Sequence, residues 1–183
     1  PEHVGICDIL LAGSRIMTIG PQARTYEGLP GVEAFDLENA VTVPGLVDLH
    51  VHITGGGGEQ GPSSRVPEIT LTQLTLNGVT TALGLLGTDG VTRSQENLLA
   101  KCRALNDEGL TCRMLAGAYQ VPSPTLTGSV TRDILAVDPV VGVKVALSDH
   151  RSSAPSVQEL VRLSCDTRLG GILSGKPGIV VAH

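Results

Sequence analysis

Short apolar runs separated by polar stretches dominate the chain, and their pattern changes near Pro44. Before Pro44, apolar runs at 7–12 and 15–19 flank a glycine-serine pair, which predicts a β-hairpin, and residues 32–36 are a candidate third strand. After Pro44, nearly continuous apolar runs alternate with stretches of helical spacing. Continuous apolar runs are typical of strands that are covered on both faces. The change of pattern predicts two regions of different architecture.

The second region is predicted to contain alternating strands and helices. The strands are expected at 46–51, 79–86, 111–117, 140–147 and 178–182. The helices are expected at 67–77, 94–108, 129–137 and 156–173. Such alternation indicates an α/β fold with a parallel sheet, either doubly wound or a TIM-like (β/α)8 barrel. Polar residues of chemical interest follow the ends of several different strands, as in barrel enzymes, and this favours the barrel.

The number of strands predicts that the chain is incomplete. A barrel of this kind has eight strands in about 250 residues. The chain has 183 residues and ends on its fifth predicted barrel strand. We therefore expect residues 45–183 to be the first five strands of a barrel, residues 1–44 to belong to a separate domain, and the chain to be truncated.

Composition and charge exclude several classes of function. The net charge of −5 argues against a nucleic-acid partner or an anionic membrane surface. The four cysteines show no paired spacing, which predicts reduced thiols in a cytoplasmic protein. No apolar run is long enough to span a membrane. The low aromatic content of 2% predicts an aliphatic core.

Two histidines at the end of the first barrel strand are candidate metal ligands. His50 and His52 are one residue apart on a strand, so their side chains point to the same face. Two neutral imidazoles form half of a site for a divalent metal ion. Without further ligands the pair could equally be a coincidence of core residues.

A lysine in an apolar strand is the second unusual feature. Lys144 lies in the run VVGVKVAL, where burial would lower the pKa of its amine and make it nucleophilic. A neutral amine could react with CO2 to give a carbamate whose oxygens bridge two metals. The alternative is a lysine at an edge strand that extends its ammonium group to solvent.

Longer stretches of the chain resemble a known family. These are PGLVDLHVHITGGGGEQGP, GVTTALGLLGTDG, LLAKCRALNDEGL, LAGAYQVPSPTLTGSV, GVKVALSDHRSSAP and GGILSGKPGIVVAH. They resemble the amidohydrolase superfamily, and within it the isoaspartyl (β-aspartyl) dipeptidases. The resemblance runs from about Cys7 to His183.

The resemblance implies a role for each candidate residue. It implies that a pair of zinc ions is held by His50, His52, His183 and a carboxylated Lys144 that bridges them. It implies that substrate is bound by Gly57, Glu59, Thr88, Tyr119 and Arg151. Glu59 would take the α-ammonium group of the substrate and Arg151 a carboxylate. Tyr119 would stabilise the oxyanion, so that Tyr119 and Lys144 are the expected catalytic residues.

The family also implies a fold and an activity. Residues 1–44 would be part of a small β-sandwich, and residues 45–183 part of a metal-dependent hydrolase barrel. The activity would be hydrolysis of β-aspartyl dipeptides by a metal-bridging hydroxide, in a homo-oligomer. A second histidine on strand six and a catalytic aspartate after strand eight are absent here. We therefore expect this segment alone to be inactive.

Other interpretations of the sequence stay open. The nearest is another amidohydrolase, such as a dihydroorotase or a hydantoinase, although Glu59 and Arg151 suit a zwitterionic dipeptide better than a cyclic diamide. A subunit that keeps the fold as a catalytically silent scaffold is the alternative from a different class. Taken alone, Tyr119 could be a packed loop aromatic, the pair His150–Arg151 a solvated loop, and His183 only a terminal residue.

Overall fold

The computed structural model describes residues 5–38 and 40–183, in two compact units that divide between Val43 and Pro44. The division lies next to the boundary predicted at residue 44. The assignment of the first unit to a β-sandwich stays a prediction.

The described part of the first unit contains the predicted hairpin. Strands β1 (Ile9–Ala12) and β2 (Arg15–Ile19) pair antiparallel, with Ile9 opposite Ile19. A 3₁₀ segment, Pro21–Tyr26, follows. The third strand predicted at 32–36 was wrong, because this segment makes no ladder with any described residue and Phe35 is 78% exposed. An alternating pattern cannot form a strand where no neighbouring strand pairs with its backbone.

The second unit is a half-barrel of parallel strands. Residues 44–183, all of which the structure describes, contain five strands. They are β3 (Leu46–Val51), β4 (Val79–Gly84), β5 (Thr111–Gly117), β6 (Val140–Val145) and β7 (Ile179–Ala182). They pair side by side in chain order, all parallel. The predicted fold class, the first five strands of a barrel, is confirmed.

Helices connect successive strands and begin at side-chain caps. They are α1 (Leu71–Thr75), α2 (Gln95–Asp107), α3 (Val130–Ala136) and α4 (Val157–Ser174). Helix α1 is shorter than the predicted 67–77. The hydroxyl of Thr70 accepts from the Gln73 N–H while the Gln73 side chain accepts from the Thr70 N–H, and this capping box fixes the start of the helix at Leu71.

The core lies between the sheet and the helices and is largely aliphatic. Helix α2 contributes Leu98, Cys102 and Leu105, all of which are fully buried against residues such as Met114 of β5. Because the strands are parallel, their carboxyl ends lie along one rim of the sheet, where the connecting loops can bring side chains together. No helix in the described residues is long and apolar enough to cross a membrane.

Candidate active site

The two histidines lie together at the end of β3. Their ring centroids are 5.4 Å apart in an edge-to-face arrangement. The Nδ1 atom of His52 is buried and has no hydrogen-bond partner among the described residues. Burial lowers the pKa of His52, and His50 and Lys144 lower it further; burial and Lys144 likewise lower the pKa of His50. Both imidazoles are therefore neutral at physiological pH, which is the form that binds metals.

Lys144 is completely buried on β6. Its Nζ atom has no hydrogen-bond partner within the described part of the chain and lies 6.0 Å from the centre of the Tyr119 ring. Burial lowers the pKa of the amine. A lysine that extended to solvent would expose its ammonium group, so the alternative of an edge-strand lysine was wrong.

A glycine-rich loop after β3 forms one wall of a small cavity. The cavity has a volume of about 70 Å³, and its lining includes His52, Gly57, Glu59, Thr88 and Tyr119. Gly57 has a φ of 67°, and a Cβ atom there would lie 2.4 Å from the carbonyl oxygen of Ser64. Glycine is therefore required at this position if the backbone is to turn beside the cavity.

Charged side chains form a row along the same rim. Nη1 of Arg151 lies 2.9 Å from Oε1 of Glu59, although the two residues are 92 positions apart. Nε of Arg151 donates to Oδ1 of Asp149 at 2.7 Å, and Nε2 of His183 lies 3.1 Å from Oδ2 of the same carboxylate. Hydrogen bonds from Arg151 hold the pKa of Asp149 well below its usual range.

Tyr119 stands at the centre of this group. The guanidinium carbon of Arg151 is 5.3 Å from its ring centre, and the ring of His183 is 5.0 Å away. Burial raises the pKa of the Tyr119 hydroxyl, against the opposing effect of Arg151. The phenol is therefore neutral at pH 7 and can donate a hydrogen bond. These neighbours place Tyr119 beside the charged residues of the rim, and its role there stays a prediction.

Thr88 contributes a second unsatisfied polar atom to the cavity. Its buried Oγ1 atom has no hydrogen-bond partner in the ranges that the structure describes. The structure thus brings together on one rim every site residue that the sequence predicted. Their roles stay predictions.

Two further residues of the site were missed from the sequence. Asp149 joins Arg151 to His183, and its place two residues before Arg151 could have suggested an ion pair within the loop. Arg93 lines the cavity and is only 5% exposed. Nothing in the sequence indicates this, because a single arginine in a polar loop usually faces solvent.

The residue types at the rim fit a divalent metal ion. His50 and His52 offer neutral imidazole nitrogens, one of which has no hydrogen-bond partner among the described residues. Lys144 offers a buried amine that could carry a carbamate. His183 already contacts a carboxylate, as metal-bound histidines commonly do through their other nitrogen. Among the described residues, histidine, cysteine, aspartate and glutamate alone form no group of three or more that could hold a metal. The lysine would therefore have to supply a ligand.

Comparison with known proteins gives matches over the whole chain. A crystal structure of a β-aspartyl dipeptidase from the thermophilic, keratin-degrading Fervidobacterium islandicum AW-1 is 46% identical, with a TM-score of 0.94. The match covers 100% of this chain and 50% of that one. A structure of β-aspartyl dipeptidase from the same organism, in complex with the β-Asp-Leu dipeptide, is also 46% identical, with a TM-score of 0.91. This second match covers 100% of this chain and 47% of that one.

A more distant sequence match is an adenine deaminase from Paracoccus denitrificans. It is 21% identical over 175 residues, which are 92% of this chain and 28% of that protein. No protein-family model matches the chain. The chain thus spans half or less of the length of the proteins that it matches. Its predicted resemblance to the isoaspartyl dipeptidases is confirmed.

Proposed function

We propose that this chain is part of a metal-dependent hydrolase of β-aspartyl dipeptides. All 183 residues of the chain are covered by the match to the β-aspartyl dipeptidases. The observation that carries this proposal is the contact of Glu59 with Arg151 beside a cavity lined by a buried polar atom that has no hydrogen-bond partner in the described part of the chain. A site of this kind presents one negative and one positive group to a small ligand.

A β-aspartyl dipeptide has charges that match this pair. Its peptide bond uses the side-chain carboxyl group, so the aspartyl residue keeps a free α-ammonium and a free α-carboxylate, and the leaving residue adds another carboxylate. Glu59 would release Arg151 and bind the ammonium group, and Arg151 would bind a carboxylate. Both contacts are charge-assisted, and such hydrogen bonds are about twice as strong as neutral ones. Gly57 allows the backbone to approach the same end of the ligand.

The chemistry requires that an amide carbonyl be made more electrophilic. His50, His52, His183 and a carboxylated Lys144 would hold a pair of zinc ions. When bound, zinc would lower the pKa of a water molecule and polarise the carbonyl of the scissile amide. Lys144 can accept the carboxyl group only as a neutral amine, and its burial supports this.

Tyr119 would stabilise the transition state. As the carbonyl carbon becomes tetrahedral, negative charge develops on its oxygen, and the neutral phenol would donate a hydrogen bond to it. Burial supports this role, because it keeps the proton on the hydroxyl. Removing one such donor typically slows catalysis by about 10²–10³-fold.

The paired charges distinguish this proposal from its rivals. An uncharged purine, as for a deaminase, or a cyclic diamide, as for a hydantoinase, would leave Glu59 and Arg151 without new partners. Only a ligand that carries both a positive and a negative charge replaces the contact between Glu59 and Arg151 with two new ones. A silent scaffold would have no need of a buried lysine amine that has no hydrogen-bond partner among the described residues.

A panel of substrates tests the proposal in the full-length protein. We expect hydrolysis of β-Asp-Leu, with little or none of α-Asp-Leu, N-acetyl-β-Asp-Leu, dihydroorotate or adenine. Elemental analysis should find zinc, and replacing both His50 and His52 by alanine should remove at least part of it. Zinc-free protein without activity towards any of these compounds would favour the scaffold, and hydrolysis of dihydroorotate or adenine alone would favour another amidohydrolase-type activity.

A further inference from the structure

The loop that carries Gly57 and Glu59 has few side chains to hold it in place. We call residues 54–66 the glycine loop. It folds back on itself through backbone hydrogen bonds, from Val66 N–H to the Gly56 carbonyl at 2.8 Å and from Gly58 N–H to the Ser64 carbonyl at 3.3 Å. Glycine loses more conformational freedom on folding than any other residue. The conformation of this loop therefore needs support from elsewhere.

Arg93 supplies that support from the loop between β4 and α2. Its Nε donates to the Thr54 carbonyl at 3.0 Å, and its Nη2 donates to the carbonyls of Gly56 and Val66, both at 2.9 Å. Its Nη1 donates to Oδ2 of Asp89 at 3.3 Å. One guanidinium group thus joins both ends of the glycine loop to the neighbouring loop.

The geometry of arginine suits this task. A guanidinium group is planar and has five N–H donors in a fixed fork, so its hydrogen bonds set the relative positions of their acceptors. The side chain of Arg93 is 6% exposed. A charge so deeply buried is tolerated only when it is paired and its donors are satisfied. Hydrogen bonds to other described residues use four of the five donors of Arg93, and one of these bonds is to the carboxylate of Asp89.

We propose that Arg93 is a positioning residue for substrate recognition. It holds the glycine loop in the conformation that presents Gly57 and Glu59 to the cavity, without itself contacting the reacting atoms. The link to the ammonium group of a substrate rests on the proposed function. The link to the conformation of the loop does not.

Arg113 provides a control outside the loop. Its Nη1 donates to Oδ2 of Asp138 at 2.9 Å, but it lies on β5 and makes no hydrogen bond to the glycine loop in the described structure. It is also much more exposed, at 47% of the side chain. Both arginines therefore pair with a carboxylate, and only Arg93 contacts the loop backbone.

Hydrogen exchange in the full-length protein tests the effect on the loop. We would compare Arg93→Lys, Arg93→Met and Arg113→Met after thermal melting has shown which variants fold. Lysine can keep the bond to Asp89 or to one carbonyl, but it cannot reproduce the fork. Amides of the glycine loop should exchange at least about tenfold faster in folded Arg93→Lys than in the parent, with less than about a twofold change in Arg113→Met.

Kinetics test the effect on recognition. With β-Asp-Leu, Arg93→Lys should raise KM about tenfold and change kcat less than about threefold, because loss of uniform binding raises KM alone. The preference for β-Asp-Leu over its N-acetylated form should fall about fivefold or more, since only the free amine uses Glu59. Arg113→Met should keep the parent values.

Each outcome decides between the claims. Unchanged exchange in the Arg93 variants, or equal effects in Arg113→Met, would overturn the proposal whatever the activity of the protein. Faster exchange with an unchanged KM and an unchanged preference for the free amine would also overturn it. If the parent hydrolyses no β-aspartyl dipeptide, the proposed function fails, and exchange alone then decides whether Arg93 holds the loop.

Discussion

Buried polar groups on the helix side of the sheet have hydrogen-bond partners, whereas several at the carboxyl ends of its strands have none among the described residues. On the helix side, Asp133 is completely buried, and its carboxylate accepts from Leu126 N–H, Thr127 N–H and the Thr127 hydroxyl, all at 2.8 Å or less. At the carboxyl ends of the strands, the amine of Lys144 and Nδ1 of His52 are buried without a partner among the described residues.

This difference separates structural from functional polar groups. A buried donor or acceptor without a partner costs about 1–3 kcal/mol, so a protein rarely retains several close together. Where they converge beside a cavity, a ligand that satisfies them is the simplest physical reason. The comparison therefore predicts that substitutions at the strand ends change activity, while substitutions on the helix side change stability.

The largest effect is expected at Lys144. Lys144→Met keeps the length of the side chain and removes the amine. It should lower kcat/KM for β-Asp-Leu by about 10³-fold or more, because metal ions contribute several kcal/mol to catalysis. Its free energy of unfolding should stay equal or rise, since no hydrogen bond is lost in the protein without metal.

Lys176 is the control for that prediction. Its Nζ donates to the carbonyls of Ile134 at 2.7 Å and Val137 at 2.8 Å. Lys176→Met should lose about 1–2 kcal/mol of unfolding free energy and keep its kcat/KM. Steady-state kinetics and urea unfolding of both variants measure this contrast. Full activity in Lys144→Met would mean that the buried lysine is only structural.

Asp133 tests the helix side of the comparison. Asp133→Ala leaves several buried donors unpaired and should lower the free energy of unfolding by about 3 kcal/mol. Asp133→Asn keeps one acceptor oxygen and should lose less. Urea denaturation gives the loss, and KM for β-Asp-Leu should not change in either variant. A variant that kept its stability and lost activity would break the proposed distinction.

Glu59 tests the recognition part of the strand-end site. Glu59→Gln should raise KM for β-Asp-Leu by about 10- to 30-fold, equivalent to about 2 kcal/mol for a charge-assisted contact, with a smaller effect on kcat. Glu68→Gln is the control, because Glu68 pairs with Lys101 at 3.7 Å and does not line the cavity. The same KM in both variants would count against Glu59 as the ammonium site.

The smallest effect concerns Asp89, a strand-end residue whose carboxylate is fully paired. Although burial acts to raise the pKa of Asp89, hydrogen bonds from Thr92, Val91 and Arg65 hold it well below its usual range. The folded protein thus favours the charged form. This contribution to stability is complete above the unfolded pKa of about 3.9 and is lost as the pH falls through the lower folded value.

Asp89 should therefore behave as a structural group despite its position. At pH 7, Asp89→Asn should be less stable than the parent by about 1–2 kcal/mol, because the carboxylate that pairs with the buried Arg93 is lost, and the gap should begin to close below about pH 4. Thermal melting from pH 3 to pH 7 measures it. If the difference in stability widened on acidification, the predicted direction of the pH dependence would be wrong. As a control, Asp138→Asn breaks an exposed ion pair and should change stability less.

The barrel strands could be predicted because their signal is local. Each is a short apolar run followed by polar residues, and Ser94, Ser129 and Ser156 cap the helices α2 to α4. Prediction failed at residues 32–36, where a strand-like pattern has no neighbouring strand to pair with. Helix α1 was predicted four residues too early, although the signal for its start, Thr70 followed three residues later by Gln73, is itself local.

The site could be predicted in part for the same reason. His50, His52 and Lys144 are unusual within their own strands, so local sequence was enough to select them. The roles of Glu59, Thr88, Tyr119 and Arg151 came from the family resemblance. Arg93 and Asp149 were missed, because their significance lies in contacts with backbone carbonyls and with His183 that no local pattern encodes.

The contact between Glu59 and Arg151 also has a consequence for the order of events during folding. Neighbouring parallel strands are close in the chain, but this pair closes a span of 92 residues. Contacts between distant parts of a chain form slowly, because a long loop must be closed before they can stabilise it. During refolding, helices and the first strand pairs can form early, whereas the opposed charges meet only after β3 to β6 are assembled. Secondary structure should therefore recover before the capacity to bind a zwitterion.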